Sequence, residues 1–203
     1  MPLVRSLGLA VAIVAAGAAP VLPAQAPPGP TGDATSVAEA RALLKELVEI
    51  NTTREHGSTT AAARLLADRF LRAGWPSADV EIAGPSPTHQ NLIVRWRAQS
   101  PKAKPVLFMS HLDVVEAKRE DWDSDPFVLR EKDGYLYGRG VLDDKAAVAT
   151  WTTALISLRH AGWRPSRDIV LLLTADEEGG DENGVEWLLR NRRAQSGHTS
   201  TDH

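Results

Sequence analysis

Apolar residues recur along this chain with two periods, and the switches between them predict its elements. In "SVAEARALLKELVEI", Val37, Ala40, Leu43, Leu44, Leu47 and Val48 share one helical face. Ser36 stands at the N-cap position, and Glu39 three residues on completes a capping box. "TAAARLLADRFLRAG" predicts a second helix, closed by Gly74 and Pro76. Strands follow in "ADVEIA" and in "NLIVRWRA", where Leu92, Val94 and Trp96 alternate along one face. "PVLFMS" is apolar without a break, which predicts a strand buried on both sides. After the short "YLYGRG" come a long helix in "KAAVATWTTALISLRHAG", C-capped at Gly162, and the most hydrophobic strand, "DIVLLLTA". "NGVEWLLRNRR" predicts a last helix. Helices interleaved with strands in this order predict an α/β fold, a three-layer sandwich around a largely parallel central sheet.

The first 26 residues follow another pattern. Arg5 precedes an apolar run from Leu7 to Ala19, and Pro20 and Pro23 lead to the small-x-small sequence Ala24-Gln25-Ala26. The run of about 13 residues falls short of the ~20 that span a bilayer as a helix. Residues 1–26 therefore read as a signal peptide cleaved after Ala26, which predicts a secreted or periplasmic protein with no stable membrane span. Residues 27–35 are rich in Pro and Gly and read as a flexible linker. The last ten, "AQSGHTSTDH" (194–203), have no period and follow a helix that ought to feed another strand. They read as a disordered or aberrant tail, and the chain as truncated.

Composition narrows the chemistry. The net charge of -3 gives no basic surplus for nucleic acid. There is no cysteine among the 203 residues, so disulfides, thiolate nucleophiles and Cys-ligated zinc are excluded. Any metal must be held by His and carboxylate. No Gly-rich nucleotide fingerprint occurs, and "GDENG" lacks the spacing of a calcium loop.

Three motifs follow predicted strands, where open α/β sheets place their ligand crevices. "MSHLDVV" carries His111 and Asp113, "YGRGVLDDKA" carries Asp143 and Asp144, and "LLLTADEEGG" carries Asp176, Glu177 and Glu178. Adjacent carboxylates repel unless solvent or a cation compensates them. Singly, the motifs have plain readings: a satisfied pair, a helix cap, a solvated loop. Together, imidazole and carboxylates without thiolates suit a two-metal hydrolytic site for zinc, cobalt or manganese. One carboxylate can bridge two cations, another can hold one of them, and an unbound neighbour can act as base. His56, His89 and His160 have no motif around them and read as surface residues.

In order and spacing, "SHLDVV", "DGYLYGRGVLDDKAA" and "LLLTADEEGG" resemble the M20 metallopeptidases, the group of glutamate carboxypeptidases, dipeptidases, aminoacylases and succinyl-diaminopimelate desuccinylases. The resemblance runs from about Val37 to Arg193 and implies that residues 36–193 are a partial catalytic domain. It implies a di-zinc enzyme (Co2+ or Mn2+ also serving) that cleaves a peptide or N-acyl amide bond with a zinc-bound hydroxide. His111 would bind one metal with Asp113 fixing its ring, Asp143 would bridge, Glu178 would bind the other metal, and Glu177 would be the general base. Asp144 and Lys145 match the motif without a metal role and read as a cap and a surface charge. Gly138 and Gly140 would let the backbone turn close to the site. Family members carry a further acidic ligand, a dimerisation or lid domain and a final His beyond this region. Asp202, His198 and His203 do not match them, so each metal would lack one ligand, and a homodimer would require the missing domain. The rival expectation is a truncated, inactive M20-like fragment that binds metal weakly.

Overall fold

Helix α1 (Ala34–Glu49) buries Leu43, Leu44, Leu47 and Val48, the inner part of the predicted stripe. It is the first element of a computed structural model that describes residues 34–179 and 183–192. The helix already includes Ala34, so Ser36 lies inside it and is not its N-cap; its hydroxyl instead meets that of Ser157 at 3.3 Å. Helix α2 (Thr59–Arg72) buries Ala62, Ala63, Leu66, Ala67 and Phe70. As expected it ends at Gly74, whose φ of +86° lets the Gly74 and Trp75 amides reach back to the Leu71 and Phe70 carbonyls.

Strands β1 (Val80–Ala83), β2 (Asn91–Trp96), β3 (Val106–His111) and β6 (Ile169–Thr174) form a four-stranded sheet in the order β1-β2-β6-β3. The α/β class holds, and the sheet is mixed. β2 runs antiparallel to both β1 and β6, and only β3 and β6 are parallel, which corrects the expectation of a largely parallel sheet. The β1–β2 connection (84–90) is too short for a parallel crossover.

Alternation sorts the strands' side chains between two cores. Leu92, Val94 and Trp96 of β2 and Ile169, Leu171 and Leu173 of β6 join α1, α2 and α3 (Ala146–His160) in the main one. Ile93, Val170 and Leu172 point the other way, onto Leu188 and Trp187 of α4 (Gly184–Asn191). β6 is thus buried at every position. β3 is not: Leu107 is 47% and Met109 55% exposed. The expected burial on both faces fails because β3 is an edge strand and the eight-residue α4 covers β2 and β6 instead.

"YLYGRG" also departs from expectation. Its strand β5 (Tyr135–Tyr137) pairs only with β4 (Arg130–Lys132), in an exposed hairpin outside the main sheet. Asp133 and Gly134, at φ 54° and 80°, make the tight turn such hairpins favour. Edge-on contacts link Phe70, Trp75, Trp96 and Trp163 in series, with centroids 5.1, 5.2 and 5.3 Å apart. Among the described residues no helix is long and apolar enough to cross a membrane. The signal-peptide and tail expectations lie outside the described residues, as do His198, Asp202 and His203.

Leu171 is fully buried at the centre of the sheet. Leu171→Ala is expected to lower the unfolding free energy by about 2–5 kcal/mol, read as an earlier urea midpoint at unchanged slope.

Candidate metal centre

The parallel pairing sets His111 opposite Thr174, so two of the three motifs leave the sheet at one place. The third arrives from β5 through Gly140, at φ +81°, where a Cβ would stand 2.6 Å from Val114 Cγ1. Residues Val141–Lys145 then make an irregular turn into α3, broken at Asp143, with a cis Asp143–Asp144 peptide.

Two side chains of this turn correct the sequence reading. Lys145 is not a surface charge: it is fully buried, and its Nζ donates to the Leu47 and Ile50 carbonyls at 2.8 and 2.9 Å. Leu47 lies in the last turn of α1 and Ile50 just past its end, so the lysine ties that end to the motif. Burial lowers its pKa to about 7. Asp144 is not a cap; its Oδ2 accepts the His111 main-chain N–H at 3.3 Å.

His111 and Asp113 form the buried floor of the site. The His111 Nδ1 donates to the Asp113 main-chain carbonyl at 3.0 Å, while the Asp113 carboxylate stands 3.6 Å away. That carboxylate accepts the Glu178 N–H at 2.9 Å instead. Asp113 therefore orients the ring through its backbone and the Glu178 loop through its side chain. With Nδ1 engaged, Nε2 faces outward, 2.9 Å from Asp143 Oδ1 and 4.0 Å from Glu177 Oε2. His111, Asp143 and Glu178 each offer a ligand atom, all within 4.8 Å of one another. The Asp143 and Glu177 carboxylates remain open to solvent.

The electrostatics fit a cation. Burial would lower the His111 pKa, but hydrogen bonds to Asp113 and Asp143 outweigh it and raise the value to about 10. Burial would raise Asp113; the His111 ring beside it and the Glu178 and Glu177 amides outweigh it and hold the carboxyl low. Burial and then the Asp143 charge push Glu178 up. A histidine with its tautomer fixed by a carbonyl, beside carboxylates that need positive charge, is a donor set suited to a divalent ion.

His89, expected on the surface, is also drawn in. Its side chain is 16% exposed, and its Nδ1 lies 2.9 Å from both Asp176 carboxylate oxygens. The partners are 87 residues apart, and no local pattern marks the contact.

With this geometry in place, likeness to known proteins is informative. Residues 107–200 match the model of Peptidase family M20/M25/M40, running past the Arg193 limit read from the motifs. This stretch thus resembles the M20 family in sequence, and the fold is shared with a solved M20 metallo-carboxypeptidase of Sulfolobus solfataricus, at a TM-score of 0.63 and 19% identity over 77% of this chain and 35% of that one. Aminoacylase-1 of Sus scrofa is 30% identical over 155 residues, covering 76% of this chain and 37% of that protein. A succinyl-diaminopimelate desuccinylase of Bordetella petrii is 41% identical over 132 residues, covering 64% and 33%. Human carnosine dipeptidase 1 superposes with a TM-score of 0.56 at 28% identity, over 71% of this chain and 33% of that one. The chain thus spans about a third of the length of these relatives.

Because the folded His111 pKa lies above its ordinary 6.5, its contribution to metal-free stability is full below about 6.5 and lost as pH rises through about 10. The stability gap between the metal-free chain and its His111→Gln variant is expected to shrink over that window, measured by denaturation at several pH values.

Proposed function

We propose that this chain is part of an exported, metal-dependent hydrolase that cleaves a peptide or N-acyl amide bond, with two zinc ions in the complete site. Cobalt and manganese suit the same donors. One observation carries the reading: His111, Asp143 and Glu178 converge within 4.8 Å while Glu177 stands beside them without belonging to the group. The aminoacylase, desuccinylase and dipeptidase among the relatives support an amide bond as the target.

In this reading His111, Asp143 and Glu178 would hold the metal. Bound divalent ions would polarise the scissile carbonyl and lower the pKa of nearby water. Glu177, exposed and 4.0 Å from His111 Nε2, takes a proton from the attacking water as the water oxygen bonds to the carbonyl carbon. It returns that proton to the amine nitrogen as the C–N bond breaks. Asp113 keeps His111 and Glu178 in register, through its carbonyl and its carboxylate respectively.

A second reading, an inactive fragment with weak metal binding, is favoured by one fact. Among the described residues three donors are grouped, fewer than two zinc ions ordinarily take from protein.

A panel of dipeptides and N-acyl amino acids separates the readings. The full chain loaded with zinc is expected to hydrolyse at least one substrate and to stop when a chelator removes the metal. Glu177→Ala should lower kcat by about 10²–10⁴ while zinc content is kept. Loss of zinc in that variant would contradict the base role, and zinc retained by a wild-type chain that hydrolyses nothing would favour the fragment.

A further inference from the structure

The loop that carries Glu177 and Glu178 must turn sharply off the end of β6, and the means by which it does so involve residues with no place in the chemistry above. Asp176 sits at φ +56°, in the left-handed region that a non-glycine residue seldom adopts. It is buried as well, at 5% exposure. A buried carboxylate in that conformation needs partners, and His89 supplies them by placing Nδ1 2.9 Å from both oxygens. The Asp176 main-chain carbonyl accepts the Asn183 side-chain amide at 3.1 Å, so the residue is held on both sides.

The position before it is held too. Ala175 N–H donates to Asn91 Oδ1 at 2.9 Å, and the Ala175 carbonyl accepts Gly184 N–H at 2.9 Å. Asn91 is fully buried, and its amide nitrogen also reaches the Ala83 carbonyl at 2.9 Å. A Cβ on Gly184 would lie 2.1 Å from Asn91 Oδ1, so this packing leaves no room for a side chain there. Directly past the brace, Glu178 N–H meets Asp113 Oδ2, and the Glu178 carboxylate joins His111 and Asp143.

We propose that His89 is a positioning residue: by clamping the Asp176 carboxylate it holds the left-handed turn that presents Glu178 to His111 and Asp143. It touches none of those three groups in the observed contacts and acts only through the turn. The consequence for metal binding rests on the reading under Proposed function; the consequence for the turn does not.

The test uses the full chain, its His89→Ala variant, which removes the clamp, and its His89→Asn variant, whose amide nitrogen can stand where Nδ1 stood. Hydrogen exchange of the Glu177 and Glu178 amides in metal-free protein reports the turn. A Co2+ titration followed by absorbance reports the site, and a denaturant midpoint reports the fold. For His89→Ala the expected result is faster exchange at both amides and Co2+ affinity about 10–100-fold weaker, with recovery in His89→Asn. A purely structural role would move the midpoint and leave the Co2+ affinity alone. Unchanged exchange in His89→Ala overturns the proposal, as does faster exchange with unchanged Co2+ affinity. A wild-type chain that takes up no Co2+ overturns the functional reading instead, and the exchange comparison then decides the clamp by itself.

Discussion

The parallel pairing of β3 with β6 makes both strands end on the same side of the sheet, and the site is built on that. His111 lies opposite Thr174, so the loop bearing Asp113 and the loop bearing Glu177 and Glu178 start side by side. Had this pair been antiparallel, like the other two pairings of the sheet, the histidine and the glutamates would leave from opposite ends. The hydrogen bond from Glu178 N–H to Asp113 Oδ2 joins the two loops within a few residues of where they emerge. The third motif is then fitted to them from below, by Lys145 reaching the end of α1, and from the side, by Asp144 accepting the His111 N–H.

What results is a rigid floor under an open mouth. His111 and Asp113 are buried and hydrogen-bonded, whereas Asp143, Glu177 and Glu178 stand in solvent. The buried pair fixes one ring nitrogen outward; the exposed acids supply negative charge around it. Without a cation, His111 takes a proton and compensates them in part, which is why its pKa rises against the effect of burial. A proton and a metal ion compete for the same arrangement, and any metal affinity therefore carries a pH dependence.

Much of this was legible in the sequence, because the strongest signals were local. The alternation in "NLIVRWRA" and the unbroken run in "DIVLLLTA" marked two strands, and Gly74 marked the end of a helix. The three motifs named the residues that come together in space. What could not be read depended on distant partners. Whether "PVLFMS" is covered on both sides depends on its place at the sheet edge, which periodicity does not encode. Lys145 looks like any surface lysine until α1 offers its last carbonyls, and His89 has no local mark of Asp176. Lys145 is buried and His89 partly buried by tertiary contacts, which composition does not reveal.

The central claim is that His111 Nε2 and neighbouring carboxylates form one cation site. Zinc K-edge X-ray absorption on the zinc-loaded, desalted chain tests it most directly. The account predicts one imidazole nitrogen at about 2.0–2.1 Å from zinc, with carboxylate oxygens completing the shell. The imidazole signal should vanish in His111→Gln. A shell of oxygen alone in the wild-type chain, or a spectrum unchanged by His111→Gln, would contradict it.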